Sequence, residues 1–148
     1  YIVLALLVCV VIEAGFLGYY HMQYTKVISE LKGVSIRVDL VIDYGNGTRT
    51  WHNSTLLPIG ATVINATEKL ASVKYDVYGS DAFVTSVNGV NQDFAKGMYW
   101  IWWYWDTSDK RWVLGPEAYN KYVLVDGAMI ALYYESGASW PPLPPSSS

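Results

Sequence analysis

Cysteine and histidine are scarce in this sequence of 148 residues, which holds one cysteine and two histidines. Cys9 lies inside a hydrophobic run, so neither a disulfide framework nor a thiolate metal site can form. His21 and His52 have no cysteine partner with which to build a zinc site or a Cys/His nucleophile. We therefore predict no metal-ligating residues and no cofactor.

Catalytic motifs and clustered positive charge are also missing. The sequence contains no Gly-rich phosphate loop, no serine elbow and no HExxH motif. Its 10 Lys and Arg against 13 Asp and Glu leave a formal charge of −3, without a basic cluster that would attract a phosphate backbone. We predict that the protein is not an enzyme, has no catalytic or cofactor-binding residues, and does not bind nucleic acid.

What the sequence does have is an apolar beginning. Residues 1–20 carry a single charge, on Glu13, and a helix of that length at ~1.5 Å per residue could span ~30 Å of hydrocarbon. From Phe16 onward apolar residues recur at three- and four-residue spacings, which predicts an amphipathic continuation. We predict one long helix over residues 1–32, which forms a filament core or a membrane anchor and packs through Tyr1, Leu4, Leu7, Val11, Glu13, Phe16, Tyr20, Tyr24, Val27 and Leu31.

The first residues favour an assembly role for this helix. The sequence starts on Tyr1, directly at the apolar run and without a basic region before it, as if a short leader had been removed. In this respect it resembles the N-terminal helix of type IV pilin-like proteins. Ala5 stands where bacterial pilins carry Glu, which favours the archaeal type. The resemblance implies a subunit that lies in a membrane before it assembles with copies of itself.

Three Asn-X-Ser/Thr sequons lie close together in the sequence. They begin at Asn46, Asn53 and Asn65, which we take as candidate glycosylation sites. So many sequons over a short distance favour an exported protein. We predict an extracellular or cell-surface location, reached through a membrane-inserted precursor.

The rest of the chain is typical of one β-rich domain over residues 33–136. Residues 34–43 alternate between apolar and polar, which predicts a half-buried strand. Asn46-Gly47 is a strong hairpin signal, and residues 48–57 are predicted to return beside the first strand. A short helix is predicted over 61–72. Further strands are predicted at 73–77, 83–87, 98–105, 122–125 and 129–134.

The strand at residues 98–105, with the sequence MYWIWWYW, is aromatic on both faces. Alternation directs Trp100 and Trp102 to one face and Trp103 and Trp105 to the other. One face can fill the core, whereas the second needs a cover, so these four tryptophans are candidate interface residues. Residues 137–148 are rich in Pro and Ser and are predicted to form an extended tail that contacts a neighbouring subunit.

Five segments of this domain form an ordered set of turns and strands: VDLVIDYGNG from Val38, PIGATV from Pro58, FVTSVNGV from Phe83, Tyr99-Trp100, and VDGAMI from Val125. This set resembles the transcobalamin C-terminal-like β-grasp family. The resemblance implies a mixed sheet around one helix, of the kind that covers one face of the corrinoid in vitamin B12 carriers. A longer loop at residues 106–111 departs from the family pattern, and no binding residue is transferred.

The predicted fold class is α+β, with a long N-terminal hydrophobic helix followed by a β-grasp-like mixed sheet with one short helix. Two functions follow from it. The first is a structural subunit of an extracellular pilus-like filament, a homopolymer with glycosylated domains outside. The alternative is a single-pass membrane-anchored surface module that binds a corrinoid, a glycan or another ligand stacked on aromatic rings. Adhesion to surfaces or glycans is compatible with either function.

Overall fold

The computed structural model describes residues 13–27, 33–138 and 141–145. The chain divides into two units, Tyr1–Ser35 and Ile36–Ser148. In the first unit, residues 13–27 form a helix, α1, whose side chains are exposed. Of the residues predicted to pack in an assembly, Tyr1, Leu4, Leu7, Val11 and Leu31 lie outside the described residues, and Glu13, Phe16, Tyr20, Tyr24 and Val27 lie exposed on α1.

The predicted fold class is wrong in its leading element. The described residues contain two short helices and are otherwise mainly strand, with no long hydrophobic helix. Neither of these helices is long and apolar enough to cross a membrane. The described part of α1 carries the polar side chains of His21, Gln23, Thr25 and Lys26.

The second unit alternates strands with one helix. Six of the seven strands predicted between residues 34 and 134 are present, whereas the seventh, residues 122–125, forms only a single bridge, from Val123 to Thr62. The elements are β1 (Ser35–Asp43), β2 (Arg49–Pro58), α2 (Val63–Leu70), β3 (Val73–Tyr78), β4 (Asp81–Val87), β5 (Val90–Asn91), β6 (Met98–Asp106), β7 (Arg111–Leu114) and β8 (Ala128–Ser136).

These strands form two sheets. The five-stranded sheet has the order β2-β1-β8-β6-β7, and the three-stranded sheet has the order β3-β4-β5. Strands β1 and β8 run parallel, with Val38 opposite Ala128, while β6 runs antiparallel to β8. The larger sheet is therefore mixed, as predicted for this domain.

The inner face of the five-stranded sheet holds the main core. Every second residue of β1 is buried there, from Ile36 through Leu40 to Ile42, as the period of two along a strand requires. Val63 of α2 and Val84 of β4 belong to the same cluster. Helix α2 begins after Thr62, whose backbone N–H donates to Asn65 Oδ1 at 3.0 Å.

Strand β6 is buried on both of its faces. Trp100 and Trp102 lie in the inner core and Trp103 lies on the opposite face, and each is only 4% exposed. Trp105 is partly exposed and packs edge-on against Trp112, with ring centroids 5.4 Å apart. Contacts within the chain thus bury three of the four candidate interface tryptophans, and their part in an interface stays a prediction.

Candidate ligand-binding cleft

The cleft lies where β7 stops pairing with β6. Strand β7 pairs with β6 only between Trp103 and Asp106, and beyond Leu114 the chain turns into a loop over residues 115–121. A cavity of about 620 Å³ opens between this loop, the first half of β6, and β4. It is lined by Asp81, Phe83, Val84, Gln92, Tyr99, Trp100, Ile101, Trp102, Leu114, Gly115, Pro116, Glu117, Ala118, Tyr119 and Gly137.

Gly115 allows the loop to lie against an indole ring. Its backbone N–H donates to the Trp102 carbonyl at 3.0 Å, and a Cβ at this position would lie 2.0 Å from the Trp102 ring. Only glycine avoids that overlap without a shift of the backbone. The Trp102 Nε1–H in turn donates to the Glu117 carbonyl at 2.9 Å, so the buried indole is hydrogen-bonded.

The far end of the loop is held by Tyr119 and Asn120. The Tyr119 hydroxyl donates to the Trp100 carbonyl at 3.1 Å, and burial raises the pKa of this hydroxyl, which keeps its proton. Asn120 Oδ1 accepts from the Ala82 backbone N–H at 2.8 Å, and Asn120 Nδ2 donates to the Ser80 carbonyl at 2.8 Å. The loop is thus tied to both β6 and β4, so the cleft is formed before any ligand arrives.

The lining combines an exposed aromatic ring with polar groups. Phe83 is 45% exposed and is the most accessible aromatic ring of the lining, with the Tyr78 ring 5.9 Å from it. Asp81 and Glu117 supply two carboxylates, and Lys121 Nζ lies 4.0 Å from Asp81 Oδ1. Such a lining can stack a flat ring and accept hydrogen bonds from its rim, and it disfavours an anionic ligand.

The remaining predicted sites do not gather around the cleft. Asn46 lies in the turn after β1, Asn53 in β2 and Asn65 in α2, and all three are exposed, so their glycosylation stays a prediction. His52 lies in β2, and His21 is exposed on α1. Across residues 13–27, 33–138 and 141–145, no group of three His, Cys, Asp or Glu side chains could hold a metal ion.

The cleft was only partly predicted from the sequence. Trp100 and Trp102, two of the predicted interface candidates on β6, line it, whereas Phe83, Glu117 and the loop that carries Gly115 and Tyr119 were not singled out. A signal was present, because Gly115-Pro116 directly follows the apolar residues Trp112-Val113-Leu114 and such a pair marks a turn. The partner of this turn, the Trp102 ring, is distant in sequence and could not be inferred.

Comparison with known proteins identifies the fold. No family model matches the chain, and no curated protein matches it. Among solved structures, haptocorrin in complex with Cbi, a corrinoid, matches with a TM-score of 0.59 at 12% sequence identity. That match covers 69% of this chain and 25% of the haptocorrin chain, so this chain spans about a quarter of its neighbour.

A second solved structure matches over almost its whole length. It is a protein from Ruminococcus gnavus, described as a candidate metal binding protein, with a TM-score of 0.50, 16% identity, and coverage of 69% of this chain and 98% of that one. At such identities the likeness shows the fold alone. At that level the predicted resemblance to the transcobalamin C-terminal-like β-grasp is confirmed.

The prediction of a transmembrane helix is wrong for the described residues, none of which belong to a long hydrophobic helix. The prediction of a pilin filament has no support in the structure or in the comparisons. The amphipathic spacing after Phe16 is present in α1, but a stripe of that kind does not by itself specify a filament. A homopolymer and a membrane partner are likewise not supported.

Proposed function

We propose that the β-rich unit is a binding module that holds a neutral, ring-shaped small molecule in the cleft. The observation that carries this is the preformed cavity of about 620 Å³ between β4, β6 and the loop over residues 115–121. Its volume falls in the range of small-molecule sites, which are largely apolar with a few polar groups that orient the ligand. Binding, without chemistry on the ligand, is the activity that these residues support.

The polar groups narrow the ligand class. Asp81, Glu117 and Gln92 offer carboxylate and amide oxygens as acceptors, so a ligand fringed with N–H or O–H donors fits the lining better than an anion. A corrinoid, a flat macrocycle with amide groups at its edge, has this character, and haptocorrin was solved with one. We therefore propose a corrinoid as the first ligand to test, covered on one face by the module.

Titration with cobinamide tests the proposal. The corrinoid is added to the chain while tryptophan fluorescence and the visible spectrum of the corrinoid are followed, and calorimetry gives the stoichiometry. We expect one site. Phe83→Ala should weaken binding about tenfold, since loss of a stacked ring costs ~1.4 kcal/mol.

The matched control is Trp51→Ala, which removes a ring of similar exposure, 49%, from β2 at the far edge of the five-stranded sheet. Its affinity for cobinamide should equal that of the unchanged chain. A neutral oligosaccharide serves as the second probe. Saturable binding of the oligosaccharide alone would replace the corrinoid with a sugar in the same cleft, and binding of neither probe would overturn the proposal.

A further inference from the structure

The outer face of the five-stranded sheet, opposite α2, carries apolar side chains of its own. A second apolar cluster lies on this face, with Val41, Trp103 and Ala131 buried and Ile101, Trp112, Leu114 and Tyr133 packed against them. Every member of the cluster belongs to β1, β6, β7 or β8. A segment from another part of the chain can complete the burial of this cluster by covering it.

Residues 141–145, the proline segment, have a burial pattern that fits this cover. Pro142 and Pro145 are buried, while Pro141, Leu143 and Pro144 are exposed. A polyproline II helix has three residues per turn, so residues 142 and 145 lie on the same side of such a helix. The segment thus presents one edge to the protein and the other to solvent, in a P-x-x-P pattern.

Leu143 fixes the place where the segment lies. Because the other four residues of the segment are prolines, Leu143 carries its only backbone N–H. That N–H lies close enough to the Glu135 carboxyl on β8 to oppose the rise of its pKa. Glu135 is 6% exposed, and its Oε1 also accepts from Trp103 Nε1–H at 2.9 Å. The single donor of the segment therefore meets a buried acceptor beside the outer-face tryptophan.

The charged groups near this acceptor are already engaged. Asp43 Oδ2 and Arg49 Nε form an ion pair at 2.6 Å. Asp43 and Tyr133 each lie close enough to Glu135 to interact with it electrostatically. Burial raises the pKa of Glu135 to about 7. The carboxyl thus lies in a dry position, where a hydrogen bond from a backbone N–H is worth more than in water.

We propose that the outer face is a docking surface for a P-x-x-P polyproline segment, with residues 141–145 as its resident occupant and Glu135 as the acceptor for the segment's single N–H. Recognition of this kind depends on an aromatic surface and on a ligand that is already extended, so that little conformational entropy is lost on docking. The surface can then take the same segment as a separate peptide once its own copy is displaced. The proposal does not rest on the function proposed for the cleft.

A peptide titration tests the docking surface. The probe is a labelled synthetic peptide, PPLPPSSS, with the sequence of residues 141–148, added to full-length chains and followed by fluorescence anisotropy. We expect at least tenfold tighter binding to the Pro142→Ser/Pro145→Ser chain, in which the buried prolines are gone, than to the unchanged chain. A Pro141→Ser/Pro144→Ser chain is the matched control and should bind the peptide as weakly as the unchanged chain.

The N–H contact has its own probe. A peptide with N-methyl-leucine at the position of Leu143 lacks the donor and should bind the double variant at least tenfold more weakly than the parent peptide. Equal binding of both peptides would overturn the role of Glu135. Equal affinity for the variant and the unchanged chain, or no binding to either, would overturn the docking surface.

A measurement on the unchanged chain tests the docking of the segment even if the variants fail to fold. Hydrogen exchange of the Leu143 amide, followed by NMR, should be slowed at least a hundredfold relative to an unstructured peptide of the same sequence. Exchange at the peptide rate would mean that the segment does not dock on this face, whatever the variants do.

Discussion

The two faces of the five-stranded sheet are buried by different means. The inner face is covered by α2 and the smaller sheet, through apolar side chains that alternate regularly along β1 and β8. The outer face buries a smaller apolar cluster, beside which Trp103 donates to the buried Glu135. The proline segment, in which Pro142 and Pro145 are buried, is proposed to cover this face. The inner face is an apolar core, whereas the outer face combines aromatic side chains with one buried carboxyl, as recognition surfaces do.

This contrast predicts that the inner face dominates stability. Leu40 is fully buried on the inner side of β1, and Val41, next to it, is buried on the outer side. Leu40→Ala should lower the free energy of unfolding by about 3–4 kcal/mol, because it removes buried methylenes and leaves a cavity. Val41→Ala should cost less than half as much. Urea denaturation measures both, and equal losses would remove the distinction between the faces.

The outer face should make stability depend on pH through Glu135. Burial raises the pKa of this carboxyl from 4.5 to about 7, so between these values the folded chain binds a proton that the unfolded chain has released. The contribution of Glu135 to stability is therefore fully present below pH 4.5 and is lost as the pH rises to about 7. The loss is at most ~3 kcal/mol.

Urea denaturation at pH 5 and pH 8 checks this direction. Glu135→Gln should remove most of the difference between the two values, since the amide cannot ionise. Asp109→Asn, which changes an exposed carboxylate, is the matched control and should leave the difference intact. A chain that gains stability over this pH range because of Glu135 would contradict the assignment.

The edge of the inner face, at the cleft, is expected to be sensitive to one glycine. Gly115→Ala places a Cβ against the Trp102 ring and should destabilise the fold by about 2 kcal/mol, through overpacking and displacement of the loop. Gly15→Ala in α1 meets no atom within 4 Å and is the control, expected to be neutral or slightly stabilising. Thermal unfolding measures both variants. If both are equally stable, the loop is not pressed onto the indole.

The parts of the fold that depend on local patterns were predictable. The alternation of residues 34–43, the Asn46-Gly47 turn and the spacing of residues 61–72 each specify an element from neighbouring residues alone, and β1, β2 and α2 lie where they were predicted. The two-sided aromatic pattern of β6 also indicated that a second cover was needed.

The elements that depend on distant contacts were not predictable. The strand predicted around Val123 is absent because Leu124 N–H donates to the Ala61 carbonyl, so this segment runs beside the entry to α2 and leaves the larger sheet. The proline segment was assigned to a neighbouring subunit, yet Pro142 and Pro145 are buried within the chain itself. No local sequence pattern marks the Ala61 carbonyl as the partner of Leu124, or the chain itself as the partner of the proline segment.

The cleft was unpredictable for the same reason. Its walls come from β4, β6 and the loop over residues 115–121, which are brought together by Tyr119 and Asn120. An aromatic-rich strand indicated a stacked ligand in general terms. The accessible ring of the cleft nevertheless belongs to Phe83, on a strand of the other sheet.

Backbone amide chemical shifts, recorded while cobinamide is added to the isotope-labelled chain, test the central claim most directly. The account predicts saturable shifts confined to β4, the first half of β6 and residues 115–121, with β2 and α2 unchanged. Shifts that centre on the outer face, or no shifts at millimolar ligand with this probe and with a neutral oligosaccharide, would contradict it.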